Sequence, residues 1–316
     1  MGKTMAEKIL ARCSGTEEVS AGDIVTAQVD CAMMDDILGP RVIDGDMRRL
    51  GAKIWDPAKA VLICDHYAPS GTIHQADIVA FSRRWAEEYG ITENYFEGIG
   101  PCHQILAENG FSLPGTLQVG TDSHTCTAGA FGCLGTGIGS TEMASVLITG
   151  ELWLRVPESM RLCWNGTLPK GVMAKDLILK CVGDVGHAGA TYFSMEFTGD
   201  TIGALSMDER MCISNMAVEA GAKCGLIAPD EKTDAYLKEH GCTRMYQPLL
   251  SDGDAVYAKR MDYDAGALVP QVACPHAVDN VHPITEVAGA AVERAYLGSC
   301  TGGRLSDLKV AAEILR

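Results

Sequence analysis

Ala60-Val61-Leu62-Ile63-Cys64 is an unbroken apolar run that passes directly into Asp65-His66. A strand covered on both faces reads this way, because the crossover helices of a parallel sheet bury both of its surfaces. Ile73 to Tyr89 follows with the spacing of a long amphipathic helix. Strand followed by crossover helix is half of a βαβ unit, which places the chain in the α/β class. Ligands of such sheets bind beyond the carboxyl ends of the strands, and Asp65 and His66 fall at that position.

The same grammar recurs downstream. Gly120-Thr121-Asp122-Ser123-His124-Thr125-Cys126-Thr127 stands where the segment Leu113 to Val119 gives way to the glycine-rich run Gly129 to Gly139. A carboxylate, a hydroxyl and an imidazole at one turn can bind a small acid and move its protons, since imidazole titrates near neutrality. Asp and Ser also favour helix caps, so this stretch alone suits a structural turn equally well. His103, within Gly100-Pro101-Cys102-His103-Gln104, is a third histidine after a strand-like or turn-like segment. One such histidine is ordinarily a core residue. Three, two of them beside an aspartate, favour a shared cleft. Gly135-Thr136-Gly137-Ile138-Gly139-Ser140 invites a dinucleotide reading, but the third glycine position is Ser140 and a polar turn precedes it. These glycines better suit close packing of a helix beginning near Thr141, with backbone donors offered to an anion.

Working outward, Met5 to Ala11 is a short helical pattern, and Ile24 to Asp30 is a β-branched strand with Gln28 on its outer face. Trp153-Leu154-Arg155-Val156-Pro157 closes a first domain, residues 1–157. A second α/β domain, 158–283, opens with a strand from Met160 to Trp164 and the turn Asn165-Gly166, followed by a helix near Ala174 to Val182 and a strand from Tyr192 to Phe197. A helix from Asp208 to Ala222 sets Asn215 and Glu219 at i and i+4, on one face. Its neighbours Met211, Ile213, Met216 and Val218 are apolar, which suits a buried polar pair. Residues 284–316 begin a third α/β domain, with Gly298-Ser299-Cys300-Thr301-Gly302-Gly303-Arg304 ahead of a helix from Leu305 to Arg316. A cysteine in a Gly/Ser loop before a helix N-terminus is well placed to form a thiolate, although a structural role is the commoner one.

Composition narrows the function. The 316 residues are 47% hydrophobic and 21% charged, enough for large cores. A formal net charge of -15 disfavours nucleic acid and anionic membrane surfaces, while leaving room for a locally positive site. Thirteen cysteines, an odd number, with no signal-peptide pattern, read as a reduced cytoplasmic protein. No apolar run reaches transmembrane length.

With these pieces in order, the chain resembles the aconitase family, most closely its 3-isopropylmalate dehydratase large-subunit branch. Asp65-His66, Cys102-His103-Gln104, Gly120 to Thr125, Asn215-Met216-Ala217-Val218-Glu219 and Gly298-Ser299-Cys300-Thr301 carry the resemblance, which spans Gln28 to Arg304. It implies repeated α/β/α domains, with mainly parallel sheets, around a central cleft. It also implies a hydro-lyase with a 4Fe–4S cluster that moves a hydroxyl between neighbouring carbons of a small anionic hydroxy acid. On that template Asp65, His66, His103, Asp122, His124 and Glu219 are catalytic, paired as His66 with Asp65, His103 with Asp122 and His124 with Glu219. Gln28 and Ser123 match substrate-contacting positions, Asn215 and Arg304 lie beside the cluster, and Cys300 is its first ligand.

The substrate implied is 3-isopropylmalate, isomerised to 2-isopropylmalate in leucine biosynthesis. Homoaconitate, 2,3-dimethylmalate or a citrate-like acid is the alternative, and a cluster-free regulatory or scaffold protein is the alternative outside enzymes. The family's other two cluster cysteines lie three apart, and no two cysteines here have that spacing. Later arginines that grip substrate carboxylates are missing too, and Gly302-Gly303 stands where many relatives have Asn-Gly. The expectation is a C-terminally truncated chain, inactive alone and without a cluster, completed by further sequence and by a small subunit carrying a swivelling domain and a serine base.

Overall fold

A computed structural model describes residues 2–316. The first unit runs α1 (Met5–Ser14), β1 (Ile24–Gln28), β2 (Cys31–Asp35), α2 (Pro40–Leu50), β3 (Ala60–Cys64), α3 (Ile73–Tyr89), β4 (Tyr95–Glu97), α4 (Cys102–Glu108), β5 (Leu117–Gly120), β6 (Leu134–Gly137), α5 (Ser140–Thr149) and β7 (Glu151–Arg155). α3 occupies the span expected for it. Thr72 caps its first turn by accepting from the Gln75 N–H, and Gly90 ends it in the left-handed region at φ 78°.

Five of these strands form a parallel sheet in the order β4-β3-β2-β5-β6. Every residue of β2 and β3 is buried, and alternate residues serve different cores. Ala32, Met34, Ala60 and Leu62 pack with α1, α2 and α5, while Cys31, Met33, Val61 and Ile63 pack with Ile105 and Leu106 of α4. This is the two-residue period of a strand with helices on both sides. The order reverses between β2 and β5, so a crevice opens at their carboxyl ends. β1 and β7 form a separate antiparallel ribbon.

The second unit runs β8 (Ser159–Asn165), α6 (Ala174–Val185), β9 (Ser194–Thr198), α7 (Asp200–Ala204), α8 (Met207–Asn215), β10 (Cys224–Ile227), α9 (Glu231–Glu239) and β11 (Lys259–Asp264). Its sheet is parallel, in the order β10-β9-β8-β11, over a separate core built on Leu162, Trp164, Leu177, Ile178 and Phe197. A small antiparallel ribbon, β12 (Gln271–Ala273) with β13 (Val281–Pro283), lies against α6, and α10 (Leu305–Leu315) follows with no buried residue. No helix among the described residues is long and apolar enough to cross a membrane.

Two local readings change. The helix expected from Asp208 to Ala222 stops at Asn215 and tightens into a 3-10 turn, Met216–Ala220, closed by Gly221 at φ 86°. The glycine run does more than admit α5, because it contains β6, a strand that glycine's poor β propensity hides. Its neighbour is the 3-10 turn Ser123–Phe131, which also lies directly on the second sheet. There a Cβ on Gly129 would stand 1.8 Å from the Gly225 carbonyl oxygen of β10. That backbone-to-backbone approach sets how closely the two units meet.

Gly129→Ala therefore forces the units apart and should cost about 2 kcal/mol or more, as overpacking against an unyielding backbone does. Gly203→Ala, where an added Cβ meets nothing within 4 Å, is the control. Urea unfolding should show a lower midpoint for the first variant and little change for the second.

Candidate active site

The carboxyl ends of β2, β3 and β5 deliver Asp35-Asp36, Asp65-His66 and Thr121-Asp122 to one crevice. Asp122 is its hub. Its side chain caps the following 3-10 turn, with Oδ1 accepting from the His124 N–H at 2.7 Å. The same oxygen meets His103 Nε2 at 2.7 Å, and Oδ2 lies 3.7 Å from His66 Nε2. Burial works against this carboxylate's charge. The hydrogen bond and charge of His103, with His124 beside it, outweigh burial and bring its pKa down to about 2.

His66 is held from the other side by acids. Its Nδ1 stands 2.9 Å from Asp65 and 3.6 Å from Asp36. Asp36 also accepts from the His66 and Tyr67 backbone N–H groups, and Asp65 accepts from the Cys102 N–H at 2.6 Å, at the start of α4. Hydrogen bonding to Asp36 first and Asp65 second raises the His66 pKa to about 11, so its imidazole is cationic at neutral pH. Its side chain remains a third exposed, toward the cavities.

His124 ties the two units together. Nε2 meets Glu219 Oε1 at 3.1 Å, and Nδ1 meets Ser123 Oγ at 3.1 Å. The hydrogen bond to His124 holds the Glu219 carboxyl below its ordinary range. Nearby, Asn215 is fully buried and its Nδ2 donates to Thr127 Oγ1 at 2.8 Å and to Cys300 Sγ at 3.3 Å. Arg304 braces the Cys300 loop, donating to the Cys300 and Thr301 carbonyls and to Gln104 Oε1.

Ten of the eleven residues singled out in the sequence thus gather at this cleft or in the layer behind it. Gln28 does not. It sits on the exposed face of β1, donates to Glu151 across the ribbon at 2.6 Å, and belongs to the strand that precedes β2, away from the carboxyl ends of the sheet. As a substrate contact it is corrected, and its outer-face reading stands. Asp35, Asp36 and Thr121 are the residues the sequence reading missed. The signal was available, since Asp35-Asp36 ends an apolar strand as Asp65-His66 does.

Two cavities share His66 and Asp122. One, of about 490 Å³, adds Asp65, Cys102, His103 and Cys300. The other, of about 520 Å³, runs between the units. A larger hollow of about 870 Å³ opens beside the Cys300 loop but contains none of His66, His103 or His124.

Cluster chemistry needs thiolates. Cys300 is half-buried and faces the histidines, with its thiol raised chiefly by burial. Cys102 lines the same cavity, but burial pushes its thiol well above its ordinary value, and buried Cys126 donates to the Asn215 carbonyl. The residues present fit one attachment point for a 4Fe–4S cluster and do not complete a three-thiolate site.

Comparison with known proteins agrees with this geometry. Residues 7–290 match the model of the aconitase family (aconitate hydratase). The chain belongs to the aconitase family. The chain is 48% identical over 316 residues to the 3-isopropylmalate dehydratase large subunit 1 of Methanopyrus kandleri, covering all of this chain and 75% of that one. It is 46% identical over 319 residues to the 3-isopropylmalate dehydratase large subunit of Halothermothrix orenii, with 100% and 75% covered. It is 48% identical over 290 residues to the probable methanogen homoaconitase large subunit of Methanosarcina mazei, with 92% and 74% covered. The aconitase-family chain is accordingly an enzyme of the hydro-lyase type.

The raised pKa of His66 has a pH signature. A folded pKa of about 11, above the ordinary 6.5, means its contribution to stability is complete below pH 6.5 and lost as pH rises toward 11. The stability gap between wild type and His66→Gln should therefore narrow between pH 7 and pH 10, measured by urea unfolding at each pH. A gap independent of pH would show that His66 is not held as a cation.

Proposed function

We propose that this aconitase-family chain is the large-subunit part of an enzyme that interconverts 3-isopropylmalate and 2-isopropylmalate, in leucine biosynthesis, by removing and re-adding water. The observation that supports it best is the cage of His66, His103 and His124 around Asp122, in a cleft closed by the His124–Glu219 pair. Its cationic imidazole suits a substrate bearing carboxylates.

In the dehydration step the C–O bond breaks with its electron pair going to oxygen, and a proton must arrive as it does. His66 is the donor. A pKa raised to about 11 keeps the proton on the imidazolium at neutral pH, to be yielded to the more basic, hydroxide-like oxygen that forms. Asp65 and Asp36 orient the ring through Nδ1, leaving Nε2 toward Asp122 and the cavity. His103 and His124 keep Asp122 ionised and fixed, and Ser123 offers a hydroxyl to substrate. The proton leaving the neighbouring carbon is taken by the alkoxide of a serine on a small-subunit partner, which becomes the neutral hydroxyl. A 4Fe–4S cluster on this cleft would be held by Cys300 as one thiolate ligand and would supply a Lewis acid for the departing hydroxyl, and the thiols of this chain do not complete its ligand set.

A second reading is homoaconitate as substrate, favoured by the relative of that name at the same 48% identity. Anaerobic reconstitution of the complete gene product with its small subunit, followed by assay on isopropylmalate, homoaconitate and citrate, separates the readings. The isopropylmalate reading expects kcat/KM for isopropylmalate about tenfold or more above the others. The reverse order would install homoaconitate, and no turnover of any would defeat both. Asp122→Asn should lower kcat by about 10² or more, the loss expected of a displaced acid–base group.

The ligand count yields a separate prediction. The 316-residue chain, given iron and sulfide anaerobically, should gain neither the visible absorbance of a cluster nor about four irons per chain, because one thiolate does not hold a cubane. Stoichiometric iron with cluster absorbance in this form would defeat it.

A further inference from the structure

The 520 Å³ cavity between the two units is lined by His66, Asp122 and Ser123, and also by side chains with no part in the chemistry above. Its carboxylates are already engaged. Asp35 Oδ1 accepts from the Ile37 and Leu38 N–H groups at 2.7 Å, and its Oδ2 accepts from Thr121. Asp122 has its imidazoles, and Glu142 caps α5 by accepting from the Gly139 N–H at 3.0 Å. Lys223, half-buried at the start of β10, is the contrast. Among the described residues its ammonium has no carboxylate within 4.0 Å and no hydrogen-bond acceptor, and it rests 5.0 Å from the centre of the Tyr192 ring.

Tyr192 is built to hold it. The tyrosine has a left-handed backbone, φ 66°, which a side-chain-bearing residue keeps only when its surroundings impose it. Its hydroxyl accepts from the Arg155 N–H of β7 at 3.2 Å, and the Arg155 guanidinium lies 4.6 Å from the ring centre. The ring is thereby anchored to the first unit while it supports a cation from the second. A partly desolvated ammonium without an acid partner leaves this cavity short of one anion. The same lining includes the apolar side chains of Ile37, Leu38, Ile138 and Val218. Ile37 and Leu38 are 37% and 44% exposed although the Asp35 carboxylate pins their backbone.

We propose that Lys223, on its Tyr192 platform, binds the substrate carboxylate remote from the departing hydroxyl. The Ile37–Leu38 turn and Val218 then receive the substrate's alkyl group. Lys223 is on this account a specificity-determining residue rather than an acid or base. The inference rests on the hydroxy-dicarboxylate reading of the site and adds which of its charges selects the second carboxylate.

Lys223→Gln and Lys223→Arg, each in the complete enzyme with its small subunit, test it. Lys238→Gln on exposed α9 is the charge control. Two readouts are needed: kcat and KM for isopropylmalate, and calorimetric binding of 2-isopropylsuccinate and of 4-methylpentanoate, its analogue with one carboxylate fewer. Lys223→Gln should raise KM and the Kd of 2-isopropylsuccinate about tenfold or more, the worth of one charged hydrogen bond, and leave kcat and 4-methylpentanoate binding nearly unchanged. Lys223→Arg should restore most of the affinity, and Lys238→Gln should match wild type. An unchanged KM and Kd in Lys223→Gln overturns the subsite while leaving the reaction intact. Lys223-dependent binding in an enzyme that turns over no hydroxy acid supports the subsite and overturns the reaction.

Discussion

A carboxylate that must stay ionised while largely enclosed needs donors on every side, and Asp122 has them. His103, itself almost wholly buried, gives one hydrogen bond, the His124 backbone gives another, and cationic His66 stands opposite. Each donor comes from a different element, so the carboxylate fixes α4, the 3-10 turn and the end of β3 relative to β5. The switch in strand order is what makes this possible. Only where neighbouring strands send their connections to opposite sides can side chains from several carboxyl ends meet without a covering helix.

The second constraint is the meeting of the units. Gly129 against Gly225 allows a backbone approach that any side chain would prevent, and polar links cross at the same level. Asn215 reaches back to Thr127, Cys126 reaches the Asn215 carbonyl, and Glu219 reaches His124. The break in the helix at Asn215 belongs to this contact. β10 passes so close that a Cβ on Gly225 would stand 2.7 Å from that of Ala217. The tightened turn then leaves Asn215 at the buried seam and Glu219 at its wetter edge.

Much of this was legible in the sequence, and the reason is physical. A buried parallel strand is an apolar run, so Ala60–Cys64 and the polar residues after it announce both a strand and its business end. Asp65, His66, Asp122, Ser123 and His124 obey that rule, whereas His103 comes from the first turn of α4. The misses are those where tertiary packing overrides local preference. β6 is half glycine because the Thr125 carbonyl and Ala128 lie on it, and a propensity reading sees only a turn. Gln28 was placed by template and misplaced by it, since alternation along β1 puts it outward whatever its chemistry. Lys223 carries no local signal, because its meaning depends on Tyr192 and on the absence of an acid that sequence does not display.

An acidic chain proposed to take an acidic substrate is a contradiction only until the charges are followed individually. With a formal net charge of -15, the protein repels anions at long range, a repulsion that salt screens over about 10 Å. Within the cleft, each carboxylate has been given a task that consumes its charge: Asp35 holds a turn, Asp36 and Asp65 hold His66, Asp122 holds imidazoles, and Glu142 caps a helix. Two cations line the cavity these acids leave: His66, held and kept charged by its carboxylates, and Lys223, which has no acid partner among the described residues. The acids are thus the means by which the cations are kept charged and in place. Selectivity for an anion follows from which charges are left over, and net charge is a poor guide to it.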